Sequence, residues 1–196
     1  AISNGANTIC FNLKSISITK KKLDSLLKDI NLKKIFIEFK KTKKGLEILD
    51  YLSSHKDYKY VQGCIHDIIL NEKIYIKTKK KLQKYKLHFF QISDTNFLDF
   101  KNKIPSFIDP NFIQFNFIFS NNIMFEIAKI RAFRIWYQNE YKSIPYVSSE
   151  TKLKSKNYHQ LIQSSFQALS SFIGGCDSLK ITYKNINHGI KQQLIL

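Results

Sequence analysis

Short apolar runs alternate along the chain with longer stretches in which apolar residues recur every three or four positions. The first pattern fits buried strands and the second amphipathic helices, so their alternation predicts repeated β/α units around a parallel sheet. Strands are expected at Thr8 to Leu13, Lys34 to Phe39, Tyr60 to His66, Leu87 to Ile92, Phe112 to Phe119, Ile144 to Val147 and Leu179 to Tyr183, a set rich in Ile, Phe and Tyr. Thr19 is placed to cap a helix through Leu23, Leu26 and Leu27, and Thr42 to cap one carrying Leu46, Leu49 and Leu52. Asn121 or Asn122 precedes a helix from Met124 to Tyr137, in which Phe125, Ala128, Ala132 and Ile135 form the apolar stripe. Glu126 and Lys129 are three apart and are expected to pair on its surface. A last helix from Tyr158 to Ile173 stops at Gly174-Gly175, where glycine supplies a left-handed cap.

The segment from Ser93 to Pro110 holds Pro105 and Pro110 and shows no clean periodicity, so it is expected to be a long connection. Ile190 to Leu196 has the look of a helix broken in mid-turn, and Asn4-Gly5-Ala6 that of a helix stop before the first strand. Both ends are therefore expected to be cut from a longer protein.

Composition narrows the class. With 196 residues, 43% hydrophobic and 14% aromatic, the chain can fill one sizeable core, and a single domain over 1–196 is expected. No apolar run approaches the roughly 20 residues of a membrane span, and the first residues lack a secretory leader pattern. The expectation is a soluble, cytoplasmic protein without a membrane partner. Cys10, Cys64 and Cys176 are scattered and odd in number, which suits buried free thiols better than disulfides or a metal site.

A net charge of +17 and a pI near 9.7 would ordinarily favour nucleic acid as a partner. The excess is almost all lysine, however, and comes with heavy use of Ile, Asn, Phe and Tyr, the signature of an AT-rich genome acting on any protein. The runs Lys20-Lys21-Lys22, Lys40-Lys41, Lys43-Lys44 and Lys77 with Lys79-Lys80-Lys81 fall in expected loops or helix flanks. A solvated surface is the simpler reading, and basic runs gain weight only when aligned on one face.

Three segments then resemble the methylmalonyl-CoA mutase family. Phe125-Glu126-Ile127-Ala128-Lys129-Ile130-Arg131-Ala132-Phe133-Arg134-Ile135-Trp136 resembles that family's FEIAKLRALRLLW helix, and follows an aromatic strand as it does there. The stretch from Asn157 to Leu169, running into Ile173-Gly174-Gly175-Cys176-Asp177-Ser178-Leu179, is similar to its NLLRTTTEAxxAVxGGxxSL pattern. The terminal Gln192-Gln193-Leu194-Ile195-Leu196 is like its NxQLIL, and Ser3 to Ile9 is like the start of an early barrel strand in its small subunit. The resemblance implies a (β/α)8 TIM-type barrel, truncated at both ends. It also implies an adenosylcobalamin-dependent rearrangement of an acyl-CoA thioester, in which the protein binds, positions and excludes water.

The residues that carry this chemistry in the family are mostly missing. No Asp-x-His-x-x-Gly cobalamin pattern occurs, and His88, followed by Phe89-Phe90, stands without the catalytic chains' Gly-Tyr-His companion. The Arg-x-Ser-x-Phe strand that holds the thioester in catalytic chains falls on Phe112, Gln114 and Asn116. The family arginine and glutamate of the second motif fall on Gln163 and Gln167, and a histidine after the glycines falls on Lys180. The apolar framework is kept while the polar positions have drifted, as expected of the small, non-catalytic subunit. No catalytic, cofactor-binding or metal residue is therefore assigned. Adenosylcobalamin is expected on the partner, a catalytic large subunit with which this chain forms a heterodimer.

A catalytic mutase fragment and a basic nucleic-acid-binding protein are the alternatives. His66-Asp67 lacks a third ligand, no G-x-S-x-G turn occurs, and Gly174-Gly175 lacks the Lys-Ser/Thr of a phosphate loop. Trp136 and Arg134 either face a partner or pack on the sheet.

Overall fold

The computed structural model describes residues 7–14, 18–40, 45–55, 58, 60–66, 72–85, 87–88, 90–94, 97–153, 158–183 and 193–194. The chain is mixed α/β with two mainly parallel sheets, and it divides into two compact units, one built mainly of 7–91 with 106–112 and one of 92–105 with 113–196.

In the first unit, β1 (Thr8–Asn12), β2 (Phe36–Lys40), β3 (Gly63–Ile65) and β4 (Leu87–His88) pair in that order, all parallel. Between them run α1 (Lys20–Leu27), α2 (Gly45–Ser54) and α3 (Glu72–Tyr85), the crossovers that parallel pairing requires. Thr19 caps α1 as expected, its Oγ1 accepting from Lys22 N at 3.4 Å, whereas Thr42 and Asn4 to Ala6 lie outside the described residues. Leu23, Leu27, Ile48, Leu49 and Leu52 form the buried helix faces. At Gly63 a Cβ would meet the Ile37 carbonyl oxygen at 1.8 Å, so the β2–β3 approach depends on a residue without a side chain. Lys77 and Lys79 to Lys81, expected in loops or flanks, lie inside α3. Lysine is a good helix former, and Tyr75 and Thr78 give this helix a buried side.

In the second unit the strand order is β5 (Phe90–Asp94), β6 (Ile113–Ile118), β7 (Tyr146–Leu153), β8 (Ser178–Tyr183) and β9 (Gln193–Leu194). β6, β7 and β8 are parallel neighbours, and β9 pairs antiparallel with β8. Two expectations are corrected here. Ser93 to Pro110 is not a bare connection, because β5 reaches Asp94 and α4 (Phe97–Lys103) follows. The fully buried Phe100 ties α4 into the core despite its weak periodicity. Within the expected terminal helix, Gln193 and Leu194 are strand, since the backbone of β8 at Leu179 and Lys180 is there to be paired.

The helices of this unit are α5 (Ile123–Tyr141) and α6 (Tyr158–Gly174). Asn122 caps α5, its Oδ1 accepting from Phe125 N at 3.1 Å, and Gly175 follows α6 at φ 83°. The expected apolar stripe of α5 faces the wrong way, for Phe125, Ala128, Ala132 and Ile135 are exposed. The buried side carries Glu126, Lys129, Ile130, Phe133 and Tyr137, a second helical periodicity in the same sequence. Rings decide between the two. Phe133 lies 4.9, 5.1 and 5.4 Å from the ring centres of Phe115, Phe117 and Phe100, edge-on or tilted, and Tyr137 joins at 5.0 Å from Phe115. The Glu126–Lys129 pair is accordingly buried at 2.5 Å, with the ammonium within 6 Å of the Phe117, Phe119 and Phe125 rings.

Phe133→Ala is expected to lower the unfolding free energy by about 3–5 kcal/mol, read as a lower urea midpoint. Ile135→Ala, on the outward side, should change it by less than about 0.5 kcal/mol. Equal losses at the two positions would mean that the buried side of α5 has been misplaced.

Candidate functional site

The C-terminal ends of parallel strands are where α/β proteins place their chemistry, because the loops there are free to vary above a rigid sheet. In the first unit, pairing puts Cys10, Glu38, Cys64 and His88 at one level of β1 to β4. Glu38 is 1% exposed, although an isolated buried carboxylate is costly. Its Oε2 lies 3.0 Å from Lys40 Nζ and 3.5 Å from His66 Nε2. Period-two alternation puts Lys40 on the same face as Glu38, and the His66 N–H bonded to the Phe39 carbonyl fixes the histidine just beyond β3. Burial alone pushes the Glu38 carboxyl up. The His66 ring and the Lys40 ammonium outweigh it and hold the carboxyl well below the usual carboxylate range. A carboxylate, an imidazole and an ammonium so grouped can hold or pass a proton.

In the second unit, Asn116, Ser148 and Ser178 stand opposite one another across β6, β7 and β8, with Gln114 two residues before Asn116 and Glu150 opposite Lys180 two residues further along. Gln114 Nε2 donates to Ser148 Oγ at 3.1 Å, and that hydroxyl lies 3.0 Å from Asn116 Oδ1 and 3.2 Å from the Phe115 carbonyl. Gln114, Asn116, Ser148 and Ser178 are all buried. Gln114, Ser148 and Asn116 form a neutral hydrogen-bonded chain with Ser178 opposite Ser148, and half-buried Glu150 and Lys180 are the ionisable neighbours.

The other singled-out residues fall apart from these rows. Phe112 ends a 3-10 turn, Pro110–Phe112, just before β6. Gln163 and Gln167 reach the loop before α5, Gln163 Nε2 donating to Asn121 Oδ1 and Gln167 Nε2 to the Ser120 carbonyl at 3.2 Å. Glu126 Oε1 accepts from Ser120 N at 2.9 Å in the same loop. Arg134 donates to the Gly175 carbonyl at 2.9 Å and to Asp177 Oδ2 at 3.0 Å, so it braces the α6–β8 turn, and Trp136 packs on Phe133 and Tyr141. Asp67 and Phe89 lie outside the described residues, and of His88 only the backbone on β4 is described. None of the three cysteines is in a disulfide; Cys64 and Cys176 are buried and Cys10 half-buried, and burial pushes the Cys176 thiol up to about 12.

Glu38 with His66 was missed by sequence reasoning. A lone acid inside Phe36-Ile37-Glu38-Phe39-Lys40 was the available signal, because alternation had to bury it. A cleft of about 430 Å³ also lies between α1 and α2, lined by Thr19, Lys20, Leu23, Glu47, Asp50 and Tyr51 among others. Tyr51 and Tyr58 both donate to Asp24 at 2.5 Å, and these hydrogen bonds lower the Asp24 carboxyl. Among the described residues no group of three His, Cys, Asp or Glu could hold a metal ion, and no helix is long and apolar enough to cross a membrane. Neither a family model nor a curated protein matches the chain.

Because the folded-state carboxyl of Glu38 lies below its ordinary 4.5, its stabilising effect is full above that value and fades as the pH falls through the folded-state value. The protein's stability against urea is thus expected to fall as the pH drops below 4.5, seen as a lower urea midpoint. Glu38→Gln should flatten that part of the profile, and an unchanged acid limb would refute the pairing.

Proposed function

We propose that this chain is a barrel-derived, small-subunit-like component of methylmalonyl-CoA mutase, the enzyme that interconverts methylmalonyl-CoA and succinyl-CoA. It partners a catalytic large subunit that carries adenosylcobalamin and does no chemistry itself. The observation that carries the reading is the neutral row Gln114–Ser148–Asn116. In catalytic chains of the family Arg and Ser stand where this chain has Phe112 and Gln114, and the neutral Gln114, Ser148 and Asn116 offer no cation to a thioester or phosphate. Of the mutase-like segments, the first lies on α5 directly after β6, the second runs along α6 into β8, and Gln193 and Leu194 of the third form β9. Two sheets of parallel β/α order are what sectors of a (β/α)8 barrel would supply.

Two of the described histidines are already engaged. His66 turns its Nε2 onto Glu38, His55 lies against the Tyr51 and Tyr58 rings, and His159 is exposed on α6. The reading predicts no mutase turnover by this protein alone and a 1:1 complex when it is mixed with a large mutase subunit. Adenosylcobalamin bound stoichiometrically by this chain alone would promote the catalytic alternative instead.

A second reading is favoured by α3, which brings the exposed Lys73, Lys77 and Lys80 onto one helical face at spacings of four and three. This is the alignment that makes basic residues a polyanion site. Three phosphate contacts on duplex DNA would give a slope of log K against log salt of roughly −3. Anisotropy titration should find that slope if nucleic acid is the partner, and no complex even at low salt if the mutase reading holds.

A further inference from the structure

Helix α6 is built inside out. Its buried side carries Ser164, Gln167, Ser170, Ser171 and Gly174, while Leu161, Ile162, Phe166, Leu169, Phe172 and Ile173 are exposed. Tyr158 is 80% exposed, Phe172 65% and Phe166 48%. The inward side needs small residues because the helix sits close to its neighbours: Ser171 Oγ lies 2.7 Å from Ser149 Oγ of β7, and a Cβ on Gly174 would stand 3.2 Å from Ile130 Cβ of α5. With its side chains so placed, the helix contributes its apolar area to the outside.

Taking about 150–250 Å² for a whole aromatic side chain, the outward side of α6 offers roughly 700 Å² of apolar surface. On α5, Met124 and Ile135, which share one side of that helix, are exposed as well. The largest apolar patch of an ordinary monomer is about 300–600 Å², and a stable interface takes about 800 Å² from each partner. The face is also uncharged in a chain of +17: from Tyr158 to Cys176 there is no Asp, Glu, Lys or Arg. Arg131, at its border, is turned onto the Ile173 carbonyl at 3.0 Å.

We infer that this face is the interface of a homodimer, two copies of the chain packing α6 against α6 about a twofold axis. An acidic partner would find no cation to pair with on the helix. A lipid surface would call for Lys or Arg along its polar edge, and α6 has none. A second copy meets an uncharged apolar face with an identical one, and small Ser165 and Ala168 beside Phe166 and Leu169 leave room for the opposing ridge. The pairing goes beyond the mutase reading and does not depend on it.

The test is sedimentation equilibrium of the whole protein at micromolar concentration, in low and moderate salt. A dimer is expected, and salt should tighten it, because added ions screen the repulsion between two chains of +17 while apolar burial is untouched. Phe166→Glu and Phe172→Glu should each weaken association roughly 30-fold or more, as loss of a central anchor does, with helical circular dichroism unchanged because both residues are exposed and with a thermal midpoint that no longer rises with protein concentration. A monomer in both salts would overturn the inference, as would a dimer indifferent to both substitutions. A monomer that binds lipid vesicles or pairs only with a large mutase subunit would overturn it too.

Discussion

Alternation along parallel strands is the constraint on which the rest of the structure depends. Successive side chains leave a strand on opposite faces, and parallel pairing carries that choice from β6 to β7 to β8 without a slip. One face of β6 therefore holds Phe115 and Phe117, and their rings meet Phe133 of α5 and Phe100 of α4. The other face must then hold Gln114 and Asn116, whose burial is tolerable only because Ser148 stands beside them to share hydrogen bonds. The aromatic core and the buried polar row have one cause. In the first unit the same alternation drives Glu38 inside and brings Lys40 and His66 to its carboxylate.

Electrostatics follows from that burial rather than from the net charge. The exposed lysines of α1 and α3 are hydrated and individually weak, as surface charges are. The buried pairs act differently. Glu126 is fixed by both Lys129 and the Ser120 N–H, so removing either member of the ion pair would leave a charge without compensation among aromatic rings. Glu38 and Glu126 are also among the few acids in a strongly basic chain, and both are used inside it.

The order of elements was legible in the sequence because it rests on period. Strands near Thr8, Phe36, Phe112 and Leu179 and helices capped at Thr19 and Asn122 all came from local pattern. Which side of a helix turns inward was not legible. α5 carries two apolar or aromatic periodicities at once, and tertiary ring packing selects the one holding Phe133 and Tyr137. Lys77 to Lys81 hid a helix because lysine runs look like solvated loops unless the spaced Tyr75 and Thr78 are weighed against them. The polar row was half visible, since Gln114 and Asn116 could be singled out on β6 but their partner Ser148 lies on a strand whose pairing no local pattern reveals.

The inverted α6 shows how a close approach between layers constrains the outside of a protein. Bringing this helix to a 2.7 Å contact between Ser149 and Ser171 requires small side chains along its inner edge, which gain little from burial. The apolar residues of α6 cannot go there without pushing helix and strand apart, so they remain on the outer edge. Exposed apolar area of this size costs free energy in water until something covers it. The tight packing inside and the unsatisfied surface outside are thus two sides of one placement. A helix built this way gains its main hydrophobic stabilisation only when a second apolar face closes over Phe166, Leu169 and Phe172, which ties the stability of this unit to its assembly.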